Sequence, residues 1–269
     1  KGKGKVRAVM KNKMNKFIKG IALGAAASLM ALSFAACSDS GAASLNLVSE
    51  GKLTMGTNAQ FPPFEYYEGP EIVGVDAAIM EAIAEKLGLE LEIKDMEFGS
   101  LPAALSGGNI DVIAAGFTAD PDREETMDFT DSYFTAKQTI LVRADSDYQT
   151  KEDLEDKIIG GQTSTTGLTS CAPKLTADEN IKGYTNGALA VEDLLNGNLD
   201  AVIIDNNPAN AYKDQHGDEL RLIEDQFPEE QYVLAVNKGN TALLEAVNGA
   251  LKELQDDGTF DKIVAQYIK

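Results

Sequence analysis

An arginine, an aspartate and two aromatic side chains stand where they could take hold of a small zwitterion. Arg123 closes the run Gly116-Phe117-Thr118-Ala119-Asp120-Pro121-Asp122-Arg123, which follows the apolar stretch Val112-Ile113-Ala114-Ala115. That stretch reads as a buried strand. A guanidinium just beyond its end, behind a threonine and a tight turn, is a planar two-pronged anchor for a carboxylate. Asp205 follows a second apolar run, Ala201-Val202-Ile203-Ile204, and could offset an ammonium. Phe61, in Phe61-Pro62-Pro63-Phe64-Glu65, and Phe98, in Glu97-Phe98-Gly99-Ser100-Leu101, are isolated aromatics in polar settings, suited to whatever lies between the two charges. Together these residues would make an amino-acid site.

Other chemistry finds little support. Beyond Cys37 the only cysteine is Cys171, in Ser170-Cys171-Ala172-Pro173, which reads as a small, partly buried residue. The single histidine, His216, reads as a solvated loop residue. The chain shows no zinc-ligand spacing, nucleophile elbow or phosphate loop. No catalytic residue, metal or cofactor is therefore expected.

The elements that would position the four side chains follow from periodicity. Lys52-Leu53-Thr54-Met55 opens the folded part as a strand. Residues 75–87 place Ala78, Ile79, Ala82, Ile83 and Leu87 at helical spacing, with Gly88 as the stop. Residues 89–93 alternate as a strand, and a short helix at 101–105 precedes the run at 112–115. Around Gln138-Thr139-Ile140-Leu141-Val142 the chain is extended and a second alternating set begins. It holds a strand at 158–160, a helix capped by Thr165 or Thr166, a helix at 188–195 and the strand before Asp205. A second extended run at 231–236 mirrors the first crossing. Thr241 to Leu254 carries Leu244, Val247, Leu251 and Leu254 at helical spacing, and Gly258 stops it. Strand-helix alternation of this kind calls for α/β lobes with mainly parallel sheets. The two crossings divide the chain into lobe 1, at 50–136 plus 231–269, and lobe 2, at 137–230.

The N-terminal 36 residues have a different character. Residues 1–19 hold eight basic residues and no acidic ones, and residues 21–36 follow as 16 uncharged, mostly apolar positions. At ~1.5 Å per residue that run is shorter than a ~30 Å hydrocarbon core, so it reads as a secretory signal peptide beginning at Met10 or Met14. Its removal takes eight of the 24 basic residues and none of the 43 acidic ones, changing the net charge from −19 to −27. A body so acidic is repelled by nucleic acid and by anionic headgroups. Phe34-Ala35-Ala36-Cys37 resembles a bacterial lipobox, which implies lipidation of Cys37 and a tether over 37–49. Two or more acyl chains would hold the protein stably to a membrane.

From about Lys52 to Lys269 the residues resemble the bacterial extracellular solute-binding proteins, family 3, which serve polar amino-acid ABC importers. The motifs are Gly56-Thr57-Asn58 with Phe61-Pro62-Pro63-Phe64-Glu65, Ile72-Val73-Gly74-Val75-Asp76, the turn from Gly116 to Arg123, and Asp128-Phe129-Thr130-Asp131-Ser132-Tyr133. They continue with Gln162-Thr163-Ser164-Thr165-Thr166-Gly167 and Asp257-Gly258-Thr259-Phe260-Asp261-Lys262-Ile263. The resemblance implies a two-lobe, periplasmic-binding-protein-like fold of type II, joined by hinge crossings near 135–138 and 229–232. It implies that Arg123, helped by Thr118, pairs with the ligand carboxylate, and that Thr166 donates from its backbone at a helix N-terminus. Asp205 and the Gly116 carbonyl would take the ammonium. Phe61 and Phe98 would sandwich the ligand side chain, and Asn58 and Gln162 would read it. Asp76, Asp111 and Asp128 match family positions and read as structural caps and turns.

Members that take cationic ligands commonly carry an acid where Asn58 stands. Two amides suit a neutral polar side chain such as glutamine. A cationic ligand, arginine or lysine, would need another carboxylate, for which Glu65 and Glu97 are available. The implied role is that of a monomeric, lipid-anchored receptor on the outer face of the membrane, a Gram-positive surface being favoured over a periplasm. It closes on one amino acid and passes it to a permease. A dehydratase of cyclic acids on the same scaffold and a sensing module are the readings from other classes.

Overall fold

A computed structural model describes residues 44–224 and 226–268. The expected signal peptide, Cys37 and the first part of the tether lie outside the described residues. The chain forms β1 (Lys52–Thr57), then a small antiparallel set of β2 (Gln60–Phe61), β3 (Glu65–Glu68) and β4 (Glu71–Val73). There follow α1 (Val75–Leu87), β5 (Glu90–Asp95), α2 (Leu101–Ser106), β6 (Val112–Ile113), α3 (Pro121–Glu124), β7 (Met127–Phe129) and the long β8 (Phe134–Arg143). Next come β9 (Ile159–Gln162), β10 (Ile181–Tyr184), α4 (Gly187–Leu195), β11 (Ala201–Asp205), α5 (Asn206–His216) and β12 (Leu220–Ile223). β13 (Glu229–Tyr232), β14 (Ala235–Asn237), α6 (Thr241–Asp256) and α7 (Thr259–Tyr267) complete it.

The helices form where the apolar period demands them. α1 buries Ile79, Met80, Ile83 and Ala84, and Gly88 stops it at φ 68° while its N–H donates to the carbonyls of Ala84 and Glu85. α6 buries Leu243, Val247, Leu251 and Leu254, so one stripe faces inward. That stripe joins Leu53, Ile79, Ile83 and Val112 in one core, which returns the end of the chain to the first sheet. Burying a side chain such as Leu243 contributes about 2 kcal/mol.

Two sheets organise the molecule, in strand orders β5-β1-β6-β14-β7 and β10-β9-β11-β8-β12. Each is buried on both faces. Val112 and Val236 join one core while Ile113 and Ala235 join another with Phe98, Leu101 and Phe117. In the second sheet Ile140 and Ile203 face one core, and Leu141 and Val202 face the other.

Each sheet is mainly parallel, as expected: four of its five strands run the same way and one, β14 or β8, runs against them. β1 runs parallel to β5 and β6, and β9 to β10 and β11, but β14 is antiparallel to β6 and β7, and β8 to β11 and β12. The physical reason is that the antiparallel members arrive by the crossings rather than by strand-helix-strand connections. The crossings pair with each other: residues 134–137 of β8 lie antiparallel to β13, from Phe134 opposite Tyr232 to Lys137 opposite Glu229.

Several expectations shift in detail. The buried strand expected over 112–115 is regular only at Val112 and Ile113. His216 sits in the last turn of α5 rather than in a loop. The end of the expected tether is docked: Leu45 and Leu47 pack on the first core, Val48 N–H donates to Asp111 at 2.7 Å, and Asn240 donates to the Leu45 carbonyl at 3.0 Å. Among the described residues no helix is long and apolar enough to cross a membrane.

Candidate functional site

All nine ligand-binding residues expected from sequence line one pocket. Asn58, Phe61, Phe98, Gly116, Thr118 and Arg123 come from the first sheet and its connections, and Gln162, Thr166 and Asp205 from the second. Glu65, Ala115 and Thr165 complete the wall, which surrounds about 340 Å³ including its open mouth.

Arg123 is carried by α3, a single turn that Asp120 caps by accepting the Asp122 N–H at 2.8 Å, with Pro121 at its first position. The guanidinium lies 4.2 Å above the Phe117 ring and 5.5 Å from that of Phe98. Nη1 donates to the Thr118 carbonyl at 2.9 Å, and Nη2 donates across the pocket to the Ser164 carbonyl at 2.9 Å. Neutral carbonyls and ring faces therefore position this cation. Burial pulls its pKa below the ordinary range, while the charges of Asp120, Glu230 and Asp205 push it back.

Asp205 ends β11 and stands at the N-cap of α5, but its side chain makes no capping bond. It is 7% exposed, and Oδ1 accepts from the Tyr232 hydroxyl at 2.7 Å. Burial raises its pKa to about 7; the Glu230 charge adds to the rise, and hydrogen bonds from Tyr232 and Gln138 oppose it.

Glu65, at the start of β3, is 1% exposed; among the described residues no N–H or hydroxyl donates to its oxygens, and its carboxyl neighbour is Asp76. Its pKa is driven well above the carboxylate range by burial and then by the charges of Asp76 and Asp205. Asp76 is fully buried in the first turn of α1 and accepts from the Gly116 N–H and the Tyr133 hydroxyl, each at 2.8 Å. Burial takes its pKa to about 6. Three buried carboxylates thus share one end of the site, where charge is costly unless a cation arrives.

Gly116 is required on two counts. Its φ is +52°, and a β-carbon there would lie 2.6 Å from Cε1 of Phe61. The aromatic therefore rests directly on the loop backbone.

The two amides meet each other. Gln162 Nε2 donates to Asn58 Oδ1 at 2.8 Å and to the Thr185 carbonyl at 3.1 Å, and Asn58 Nδ2 donates to the Met96 carbonyl at 2.8 Å. Both N–H groups of Gln162 are engaged, so the pair turns more acceptors than donors towards the pocket.

The hydroxyls of both threonines turn to one carboxylate. Thr118 Oγ1 donates to Glu230 Oε2 at 2.9 Å, and Thr166 Oγ1 donates to the same oxygen at 2.8 Å. Thr166 precedes only a five-residue π-type turn, Gly167–Cys171, rather than a long helix. Cys171 is buried in that turn, and burial lifts its thiol to about 12, an inert value. The aspartates read as caps and turns act at long range instead. Asp76 holds Gly116, Asp111 accepts from Thr54 and Val48, and Asp128 accepts from Gly239 and pairs with Lys238 at 2.8 Å.

Of the two carboxylates offered for a cationic ligand, Glu65 lines the pocket and Glu97 does not; sequence reasoning did not place Thr165 or Ala115 in the wall, nor Glu230 behind it. Thr165 adjoins Thr166 and could have been included by adjacency. Nothing in the spacing separates Glu230 from the other acidic residues.

Two lobes joined by a paired crossing, with opposite charges facing one pocket, define a two-lobe solute-binding protein. The chain belongs to the bacterial extracellular solute-binding proteins, family 3, which it matches over residues 53–269. It is 34% identical over 216 residues to the arginine-binding extracellular protein ArtP of Bacillus subtilis (strain 168), covering 79% of this chain and 84% of that protein. A probable histidine-binding protein of Neisseria gonorrhoeae is 33% identical over 260 residues, covering 91% and 94%. Among solved structures, an ancestral arginine-binding protein bound to glutamine superposes with a TM-score of 0.78 at 38% identity, covering 82% of this chain and 99% of that one. These relatives are binding proteins rather than enzymes, and the family acts outside the cytoplasm with ABC-transporter permeases.

Proposed function

We propose that this chain captures one free L-amino acid and delivers it to the permease of an ABC importer, without catalysis. The observation that carries the proposal is the meeting of Arg123 and Asp205, one from each sheet, on a pocket walled by Phe61 and Phe98. The guanidinium receives the ligand carboxylate; Asp205 and the Gly116 carbonyl receive its ammonium. The paired crossings, near 135–138 and 229–232, are the hinge about which the lobes 50–136 plus 231–269 and 137–230 close. A monomer, anchored by lipid on Cys37 at the outer face of a Gram-positive membrane, completes the proposal.

For the ligand side chain, the acceptor-rich pair of Gln162 and Asn58 favours a group that donates. Glutamine, whose amide donates two N–H groups, is the first candidate. Glu65 supports a second reading: a buried acid that no N–H or hydroxyl satisfies is suited to the guanidinium of arginine or the ammonium of lysine. Both readings exclude glutamate and aspartate.

A thermal-shift screen of the purified protein against the twenty amino acids tests the proposal. An amino acid present at about 100 times its dissociation constant stabilises by about 2.7 kcal/mol. Shifts confined to a few amino acids with donor side chains are expected. Silence across all twenty from folded protein sinks the amino-acid assignment.

A further inference from the structure

Glu230 lies on β13, opposite Ala136 of β8, within the paired crossings. Its Oε2 accepts from Thr118 Oγ1 at 2.9 Å, from Thr166 Oγ1 at 2.8 Å and from Gln138 Nε2 at 3.4 Å. Thr118 follows β6 of the first sheet, and its loop is laced to the same crossing. A bridge joins Thr118 to Tyr232, and the Ala119 N–H donates to the Gln231 carbonyl at 3.0 Å. Thr166 follows β9 of the second sheet, and its hydroxyl also accepts from Gln138 Nε2 at 3.3 Å. One carboxylate oxygen therefore joins a pocket threonine from each lobe to the hinge.

A hydroxyl has a single proton. Once the Thr118 proton goes to Glu230, that side chain turns only lone pairs towards the pocket and can only accept there. Thr166, donating to Glu230 and accepting from Gln138, is left to act through its backbone N–H. We infer that Glu230 is a positioning residue that ties the lobes at the hinge and sets the direction of hydrogen bonding at the ligand's charged end. Thr118 then accepts from the ligand ammonium beside Asp205, and the carboxylate is left to Arg123 and backbone N–H groups. A carboxylate suits this task because its bonds are charge-assisted and one oxygen takes several donors. The inference rests on the amino-acid reading above for its ligand part, whereas the tie between lobes stands without it.

The test compares wild type, Glu230→Met and Glu230→Gln, using L-glutamine and L-arginine as probes. Glu230→Met removes the acceptor and releases both threonine protons; Glu230→Gln keeps a weaker, uncharged acceptor. For whichever probe binds wild type, the dissociation rate should rise about tenfold or more in Glu230→Met and by less in Glu230→Gln. In a background of Thr118→Val with Thr166→Val, the Glu230→Met change should add nothing further. Small-angle scattering of the protein without amino acid should show a larger radius of gyration for Glu230→Met. Rates and radius equal to wild type overturn the inference, as does an effect of Glu230→Met that persists undiminished without the threonines. If neither probe binds wild type, the amino-acid reading is what fails. Scattering then decides the tie alone: a larger radius supports it, and an unchanged radius overturns it.

Discussion

The two charged ends of the pocket are built on opposite principles. At one end a single cation, Arg123, is held by the Thr118 and Ser164 carbonyls and by the ring faces of Phe117 and Phe98. At the other, Glu65, Asp76 and Asp205 are crowded together behind Gly116 and Tyr232, with pKa values raised by burial. The first end spends its neutral dipoles on orientation and keeps the charge available. The second stores unfavourable carboxylate burial that an incoming ammonium relieves. Binding at the acidic end should therefore depend on pH near neutrality, and binding at the cationic end should not.

Removing the cation is the harshest way to test that contrast. Arg123→Ala should weaken amino-acid binding at least about 100-fold, because it deletes a charge-assisted fork that dipoles alone do not replace. Calorimetric titration measures it, and retention of wild-type affinity would show that the carboxylate is held elsewhere.

Asp205→Asn should cost nearly as much affinity, and it also separates the ends by pH. With a folded-state pKa of about 7, raised above its ordinary 3.8, Asp205 contributes stability that is fully present below about 3.8 and is lost as pH rises through 7. Thermal melts of the protein without amino acid should accordingly lose stability between pH 4 and 7 less steeply in Asp205→Asn. In wild type, affinity should fall as pH drops below 7, because a protonated Asp205 no longer pairs with the ammonium. A flat affinity profile from pH 5 to 8 would contradict the charged role of that end.

Gly116→Ala probes the backbone between the ends. The positive φ and the collision with Phe61 should destabilise the protein by about 1–3 kcal/mol and weaken binding together with it, as read by denaturant melts and titration. The smallest change expected is the most discriminating. Glu65→Gln should lower affinity for arginine about tenfold if the carboxylate meets a cation, and leave glutamine binding nearly unchanged. Equal behaviour of the two ligands would assign Glu65 to the buried acid cluster alone.

Local signals were the legible ones. α1 and its Gly88 stop, the stripe of α6, the turn ending in Arg123 and the apolar run before Asp205 are all encoded within a few residues of themselves. What misled were features that depend on partners distant in sequence. Residues 112–115 read as one buried strand, yet only Val112 and Ile113 pair regularly. Asp76 reads as a cap or turn residue, but its oxygens serve Gly116 and Tyr133, 40 and 57 residues away. The Thr118 and Thr166 hydroxyls donate to Glu230, 112 and 64 residues further on, a partner that no local signal marks.

By itself the sequence determined the alternation of strands and helices, the two crossings and the residue types of the site, because periodicity, caps and turn chemistry act over short spans. Only the tertiary structure decided how the sheets mix parallel and antiparallel strands, and which of 43 acidic residues are buried. It alone decided that the Asn58 and Gln162 amides satisfy each other across the pocket. A carboxylate's solvation and a hydroxyl's direction are properties of its neighbours in space, and no spacing along the chain encodes them.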